Sequence, residues 1–351
     1  MIPLISDTET QPTPAMREVM ASAEVGDEQK GEDPTVNRLL AQTAALLGQE
    51  AALWLPGGTM CNMIAIKVHT RPGDVVFADT MSHIFRAESG GAAITSSVML
   101  EPVDSERGIF TAEQLDEARA RAQACPEPYA APLGLVCVEQ THNFGGGFVW
   151  TEDQLTSVAG AAKTLGMPIH MDGARLLNAA VASGVPASRF GGLMDSVWID
   201  FTKGLGAPIG AVLAGNQSFV DQARRYKQAF GGAMRQAGIA AAGCLHALEH
   251  HVERLAEDHR NARVLAQALA GMPGVVVTNP QPETNMVFFR VDPGLISHGE
   301  LIDTLAQRGV ALGDAGAEIR AVTHLDVTSE TLALAVDKIR DVLTAAEARV
   351  A

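Results

Sequence analysis

Two residues carry the strongest chemical signal in the chain. Asp172 sits in His170-Met171-Asp172-Gly173-Ala174-Arg175, and Lys203 in Phe201-Thr202-Lys203-Gly204-Leu205-Gly206-Ala207-Pro208; each follows a short apolar run. Lys203 is one of only six lysines, and it is set among Gly, Leu, Ala and Pro. Burial there would depress its pKa and leave a neutral amine able to attack a carbonyl. An acid at the carboxyl end of a neighbouring strand lies where open α/β sheets bind ligands. A lysine that forms an imine and a carboxylate beside a pyridine nitrogen are the two groups pyridoxal 5′-phosphate (PLP) requires.

A phosphate also needs a cradle. Leu55-Pro56-Gly57-Gly58-Thr59-Met60-Cys61-Asn62 precedes an apolar helical stretch. Glycines ahead of a hydroxyl residue at a helix start expose backbone N–H groups to an anion. Ser82-His83 and Thr141-His142-Asn143 each follow an apolar run, so both imidazoles should reach one sheet edge. There they would stack on a ring or move protons near neutral pH. His246, His250, His251 and His259 read as part of a polar helical stretch. No acid motif completes a site around them, and no metal is expected.

These residues need a scaffold that gathers strand ends. Val75–Ala78, Leu135–Val138, Pro168–Met171, Val197–Ile199 and Ala211–Ala214 run apolar without alternating, as strands buried on both faces do. Thr111–Arg121 and Thr151–Leu165 read as helices with threonine N-caps. The first has Gln114 at capping-box spacing; the second has Glu152 and Asp153 in its first turn. Strands alternating with such helices predict an α/β fold with a mostly parallel sheet. After about Gly238 comes a long helical region, Ile239–Gly271, followed by Val275–Val277, Met286–Arg290, a helix near Glu300–Arg308, Ile319–Thr323 and a terminal helix from Ser329. The expected organisation is an N-terminal arm and large PLP-binding domain over residues 1–240 and a small α+β domain over 241–351, with Ala124–Pro132 as a surface loop.

Composition removes other function classes. The 351 residues carry a formal net charge of −15, which repels phosphate backbones and argues against nucleic acid. No apolar run approaches the ~18 residues of a membrane span, so no membrane partner is expected. The N-terminus meets acids at once and lacks the basic region of a signal peptide. Cys61, Cys125, Cys137 and Cys244 show no paired spacing, as reduced thiols of a cytoplasmic protein would.

The ordered motifs run nearly end to end. They begin with Ser6-Asp7-Thr8-Glu9-Thr10 and Gly31-Glu32-Asp33-Pro34-Thr35-Val36, then Gly58-Thr59-Met60 with Asn62, Ser82-His83-Ile84 with Glu88, and Thr141-His142-Asn143. They continue through Asp172-Gly173-Ala174-Arg175-Leu176, the Lys203–Pro208 segment and Met234-Arg235-Gln236-Ala237-Gly238 to Arg320-Ala321-Val322-Thr323-His324. In this the sequence resembles the L-threonine aldolases of low-specificity type, PLP enzymes of fold type I in the β-eliminating lyase superfamily.

The resemblance implies an aspartate aminotransferase-like large domain. It implies a lyase of amino acid metabolism that cleaves L-threonine, L-allo-threonine and related β-hydroxy-α-amino acids to glycine and an aldehyde. Residue by residue, Lys203 matches the imine lysine, Asp172 the partner of the pyridine nitrogen, Gly58 and Thr59 the phosphate loop, and His83 the ring-stacking histidine. Arg175 matches a residue near the cofactor's ring oxygen that also faces substrate, Ser6 and Arg320 the holders of the substrate carboxylate, and His142 a histidine near the β-hydroxyl. Lys227 and Arg235 match basic residues offered to the phosphate by a neighbouring subunit, which implies a homotetramer built as a dimer of dimers. Lys30, Gln140 and Thr202 depart from the family's usual residues, as does extra chain around Ala118–Pro132; these bear on side-chain preference rather than on reaction type. Either His83 or His142 could be the general base. Another PLP reaction (β-elimination, racemisation or transamination) and a non-catalytic relative of the fold remain open on the residues alone.

Overall fold

Apolar runs that do not alternate become strands covered on both faces. The computed structural model describes residues 1–350. In chain order its strands are β1 (Ile2–Leu4), β2 (Ala51–Leu55), β3 (Val75–Asp79), β4 (Met99–Val103), β5 (Leu133–Glu139), β6 (Ile169–Gly173), β7 (Ser196–Asp200), β8 (Ala211–Gly215), β9 (Val275–Val277), β10 (Met286–Val291), β11 (Val310–Asp314) and β12 (Ile319–Val322). Seven of them form one sheet in the order β2-β8-β7-β6-β5-β3-β4. From β4 across to β7 every pairing is parallel; β8 runs antiparallel to both its neighbours. Every residue of β3, β6, β7 and β8 is buried, which explains their unbroken apolar texture.

Two strands of this sheet escape the sequence pattern. Ala51–Leu55 follows the Ala- and Leu-rich end of the helix Pro34–Leu47, and the two apolar stretches merge by eye. Met99–Val103 contains Pro102, which a sheet tolerates because β4 is an edge strand. The helices Ala112–Ala122 and Glu152–Thr164 begin with full capping boxes, Thr111 with Gln114 and Thr151 with Gln154. In the second helix Gln154 completes the box beside the acids Glu152 and Asp153.

The reversal between β7 and β8 shapes the segment that carries Lys203. Phe201 N–H donates to Gly210 O, Ala207 N–H to Phe201 O and Gly206 N–H to Lys203 O, so the loop is closed by its own backbone. Gly206 has φ 76°, a left-handed conformation that glycine adopts without steric cost.

The second sheet has the order β1-β11-β12-β10-β9, and β1 joins it from the far end of the chain, parallel to β11. Ser6, Asp7 and Thr8 therefore leave the second sheet toward the first. The first hydrophobic core reaches as far as Leu255, and the second draws on Ala262–Ala346 together with Leu4. The helix Leu255–Ala270 spans the two cores.

The long helical region divides at residues 251–254 into Gly238–His250 and Leu255–Ala270. Its histidines are not all on a polar face: His251 and His259 are buried. His251 Nδ1 lies 2.7 Å from Leu205 O, and His259 Nε2 accepts from Asn178 Nδ2 at 3.2 Å. Both helices pack against a core, and burial pushes His259 down to about 4.

Candidate active site

A cavity of about 400 Å³ opens beyond the carboxyl ends of β5, β6 and β7, with His83 from the turn after β3. The β11–β12 turn and the segment after β1 close it from the second sheet. Ser6, Gly58, Thr59, His83, Asp172, Arg175, Lys203 and Arg320, expected from the sequence to form a site, all line this one space. Its volume lies in the range of small-molecule pockets.

Asp172 stands next to last in β6 and is buried. Its Oδ1 accepts from Ala174 N–H at 3.0 Å and its Oδ2 from Asn62 Nδ2 at 2.8 Å. Burial, and next the charge of Glu139, push its pKa up to about 6, against the pull of Lys203 and His83. The acid thus feels the lysine across the cavity. Lys203 Nζ lies 3.1 Å from Asp200 Oδ2 and 5.8 Å from the centre of the Trp198 ring. The wholly apolar surrounding expected for this lysine is not what the fold provides. Asp200 ends β7 three residues earlier and places a carboxylate beside the amine.

The helix Gly58–His69 starts at the cavity with Gly57 as N-cap and no side-chain cap, so its first N–H groups face the space unclaimed by a side chain. A Cβ at Gly58 would stand 2.1 Å from the Trp198 ring. Only glycine lets backbone and indole meet there.

His83 Nδ1 lies 2.9 Å from Glu88 Oε1, and a carboxylate only accepts, so Nδ1 carries the proton. Its pKa is raised, first through that hydrogen bond, against burial. Glu139, buried at the end of β5, accepts His83 N–H and Asn143 N–H at 2.8 Å each. It ties together the turns after β3 and β5.

Arg175 is buried and bidentate to Asp7, at 2.8 and 2.7 Å. The guanidinium holds Asp7 well below the usual carboxylate range in spite of its complete burial. Asn143 Oδ1 accepts from both Arg175, at 3.3 Å, and Arg320, at 3.1 Å. Arg320 also donates to Ile5 O, and no carboxylate pairs with it among the described residues. It is the cavity's uncompensated cation.

His142, an expected site residue, lies elsewhere, and Lys227 and Arg235, expected to serve a neighbouring subunit, do not line this chain's own cavity. His142 is wholly buried outside the cavity. Its Nδ1 accepts Gly145 N–H at 3.0 Å and its Nε2 points to Asp79 Oδ1 at 3.2 Å. The bridge between His142 and Phe148 turns this stretch so that Asn143, not the histidine, enters the site. Lys227 is buried with its ammonium 2.5 Å from Glu28 Oε1. Arg235 is exposed and pairs with Asp27 at 2.9 Å. Both basic groups hold the loop around Asp27 and Glu28 in their own chain. Asn62 and Asn143 stand in the motifs and Glu139 ends an apolar run, but the sequence assigned none of them a role, because their importance lies in partners from distant strands.

The residues present fit PLP. The cavity offers an amine, an acid, an uncapped helix N-terminus and an imidazole, and the close approach of Gly58 to Trp198 leaves the N-terminus open. With Asp172 ionising near pH 6, its hold on a ring N–H should be present above that pH and lost below it. PLP association should therefore weaken as pH falls from about 7 to 5 in the native chain. In Asp172→Asn this component should vanish, and equal profiles for the two chains would contradict the assignment.

A family model described as beta-eliminating lyase matches residues 3–292. The chain is 37% identical over 334 residues to low-specificity L-threonine aldolase 1 of Arabidopsis thaliana, which spans 93% of this chain and 92% of that protein. It is also 37% identical over 334 residues to the low specificity L-threonine aldolase of Escherichia coli strain K12, with coverage of 95% and 96%. A solved structure of Leishmania major threonine aldolase shares the fold, with a TM-score of 0.78 over 99% of each chain at 20% identity.

Proposed function

The chain belongs to the beta-eliminating lyase family, and from that premise we propose that it is a PLP-dependent aldehyde-lyase. It cleaves L-threonine, L-allo-threonine and related β-hydroxy-α-amino acids into glycine and an aldehyde. One observation carries the reading: Lys203, Asp172, an uncapped helix N-terminus and an uncompensated arginine converge on a single cavity.

Bound PLP supplies an electron sink for the pair released when the Cα–Cβ bond breaks. The chain's residues do the rest. Lys203 offers Nζ for covalent attachment, Asp172 holds the ring N–H, and Gly58 and Thr59 present backbone donors to the phosphate. Arg320, with Ser6 beside it, would grip the substrate carboxylate and so orient the amino acid for cleavage between Cα and Cβ. In its neutral form His83, whose pKa the contact with Glu88 raises, has its proton held on Nδ1 by that carboxylate and leaves Nε2 free to accept one. That nitrogen takes the β-hydroxyl proton as the oxygen becomes the aldehyde carbonyl, help typically worth ~10²–10⁴ in rate. His142, enclosed beside Asp79, has no path to that proton.

Incubation with L-threonine and L-allo-threonine tests the reaction. Equal amounts of acetaldehyde and glycine are expected; a 2-oxo acid with ammonia would instead mean elimination. Arg320→Ala should raise KM for threonine by about 10- to 100-fold, the worth of a charge-assisted hydrogen bond, while the resting spectrum stays unchanged. Loss of the cofactor in this variant would contradict its role.

The active assembly is a homotetramer, a dimer of dimers, in the cytoplasm. What supports the subunit contact is Arg235, whose exposed guanidinium pairs with Asp27 alone among the described residues. Arg235→Ala is expected to raise the PLP dissociation constant several-fold. Unchanged retention, or a monomer at working concentration by sedimentation, would refute the contact.

A further inference from the structure

Asn62 lies one turn into the helix whose N-terminus faces the cavity, and it is wholly buried. Four side chains converge on its amide. Trp198 Nε1 lies 2.7 Å from Oδ1 and His170 Nε2 3.1 Å from the same oxygen. Nδ2 lies 2.8 Å from Asp172 Oδ2 and 2.6 Å from Glu88 Oε1.

The direction of every bond follows from one residue. An indole N–H can only donate, so the oxygen of the amide must face Trp198 and the NH₂ must face the two carboxylates. His170 then donates from Nε2, and its Nδ1 accepts from Ser196 Oγ at 2.8 Å. Ser196 Oγ in turn accepts from His69 Nε2, also at 2.8 Å. On the other side Glu88 Oε1 receives Nδ1–H of His83 as well as the amide hydrogen. The chain runs without a break from His69, on the far end of the same helix, to His83 in the cavity. Each donor meets an acceptor, as a buried polar network must if it is to rigidify a site.

We propose that Asn62 is a positioning residue that gives one amide hydrogen to Asp172 and the other to Glu88, fixing both carboxylates as a single unit. It couples the acid facing the cofactor ring to the acid that sets the tautomer of His83. This deepens the functional reading above and rests on it, since the unit matters only if PLP occupies the cavity.

The test compares native chain, Asn62→Ala and Asn62→Asp for PLP dissociation constant and for the pH at which the bound chromophore changes form. Asn62→Asp keeps the volume and still accepts from Trp198 and His170, but it puts a third acid against Asp172 and Glu88. Circular dichroism and thermal melting establish that each chain is folded. Hydrogen bonds to charged groups are worth about 10- to 100-fold in an equilibrium, so Asn62→Ala should weaken PLP by that factor and shift the chromophore's titration. Asn62→Asp should lose more at pH 8 than at pH 6, where its own carboxyl can still donate a proton. Folded variants that hold PLP with the native constant and the native titration would overturn the proposal. A native chain that never binds PLP would overturn the functional reading together with it, which separates the two failures.

Discussion

The Lys203→Ala chain should be colourless with PLP, lacking the band at the visible edge that the native chain shows, and its kcat should fall by about 10⁴-fold or more. The size follows from what is removed. The amine is the covalent anchor, and residues that act as one unit lose nearly all turnover when a single member goes. The substitution leaves the loop itself intact, because its closure comes from the backbone bonds Phe201–Gly210 and Ala207–Phe201. It also leaves Asp200 without the amine that lies 3.1 Å away, so a small loss of thermal stability is expected beside the catalytic loss. A variant that keeps native turnover would remove Lys203 from the chemistry.

Asp172→Ala should be the second severe substitution. The carboxylate is held at both oxygens, by Ala174 N–H and by Asn62, and it sits on the same cavity as Lys203. Without it nothing keeps the ring nitrogen protonated, and the sink that draws electrons from Cα is weakened. Loss of a preorganised electrostatic partner costs about 10²–10³-fold in kcat, which sets the lower bound expected here. PLP should still form its bond with Lys203, so the colour persists while turnover falls. That split between spectrum and rate distinguishes the acid from the lysine. Equal kcat in variant and native protein would contradict the assignment.

Asp172 and Lys203 were legible because a charge stands at or just past the end of an apolar run in the company of glycines. Asp79, Glu139 and Asp200 end such runs too, so the charge alone does not mark a catalytic group. The phosphate turn was legible for a similar reason, as two glycines and a threonine interrupt the pattern at a helix start. His142 gave the same signal as His83 and was misread. A residue after a strand can turn toward either side of the sheet edge, and here the bridge to Phe148 sends the imidazole to Asp79. Sequence order places a residue near an edge; the following turn decides what it faces. Lys227 was expected only through the resemblance, as a contact to a neighbouring subunit's phosphate; within its own chain Glu28 reaches it from a loop 199 positions away. Asn62 and Asn143 stood in the motifs and Glu139 ends an apolar run, yet their roles stayed hidden, since each works through partners brought in by other strands. In the fold, β1 was the hardest strand to foresee. Three residues of the N-terminus complete a sheet otherwise built from residues 275–322, and no local pattern announces such a pairing.

The most direct measurement is to treat the PLP-loaded protein with borohydride, digest it and locate the reduced pyridoxyl group by mass spectrometry. Stoichiometric modification of the peptide bearing Lys203, with the other five lysines free, is the result expected. A label on Lys30, Lys67, Lys163, Lys227 or Lys338, or no label on a chain that turns over threonine, would contradict it.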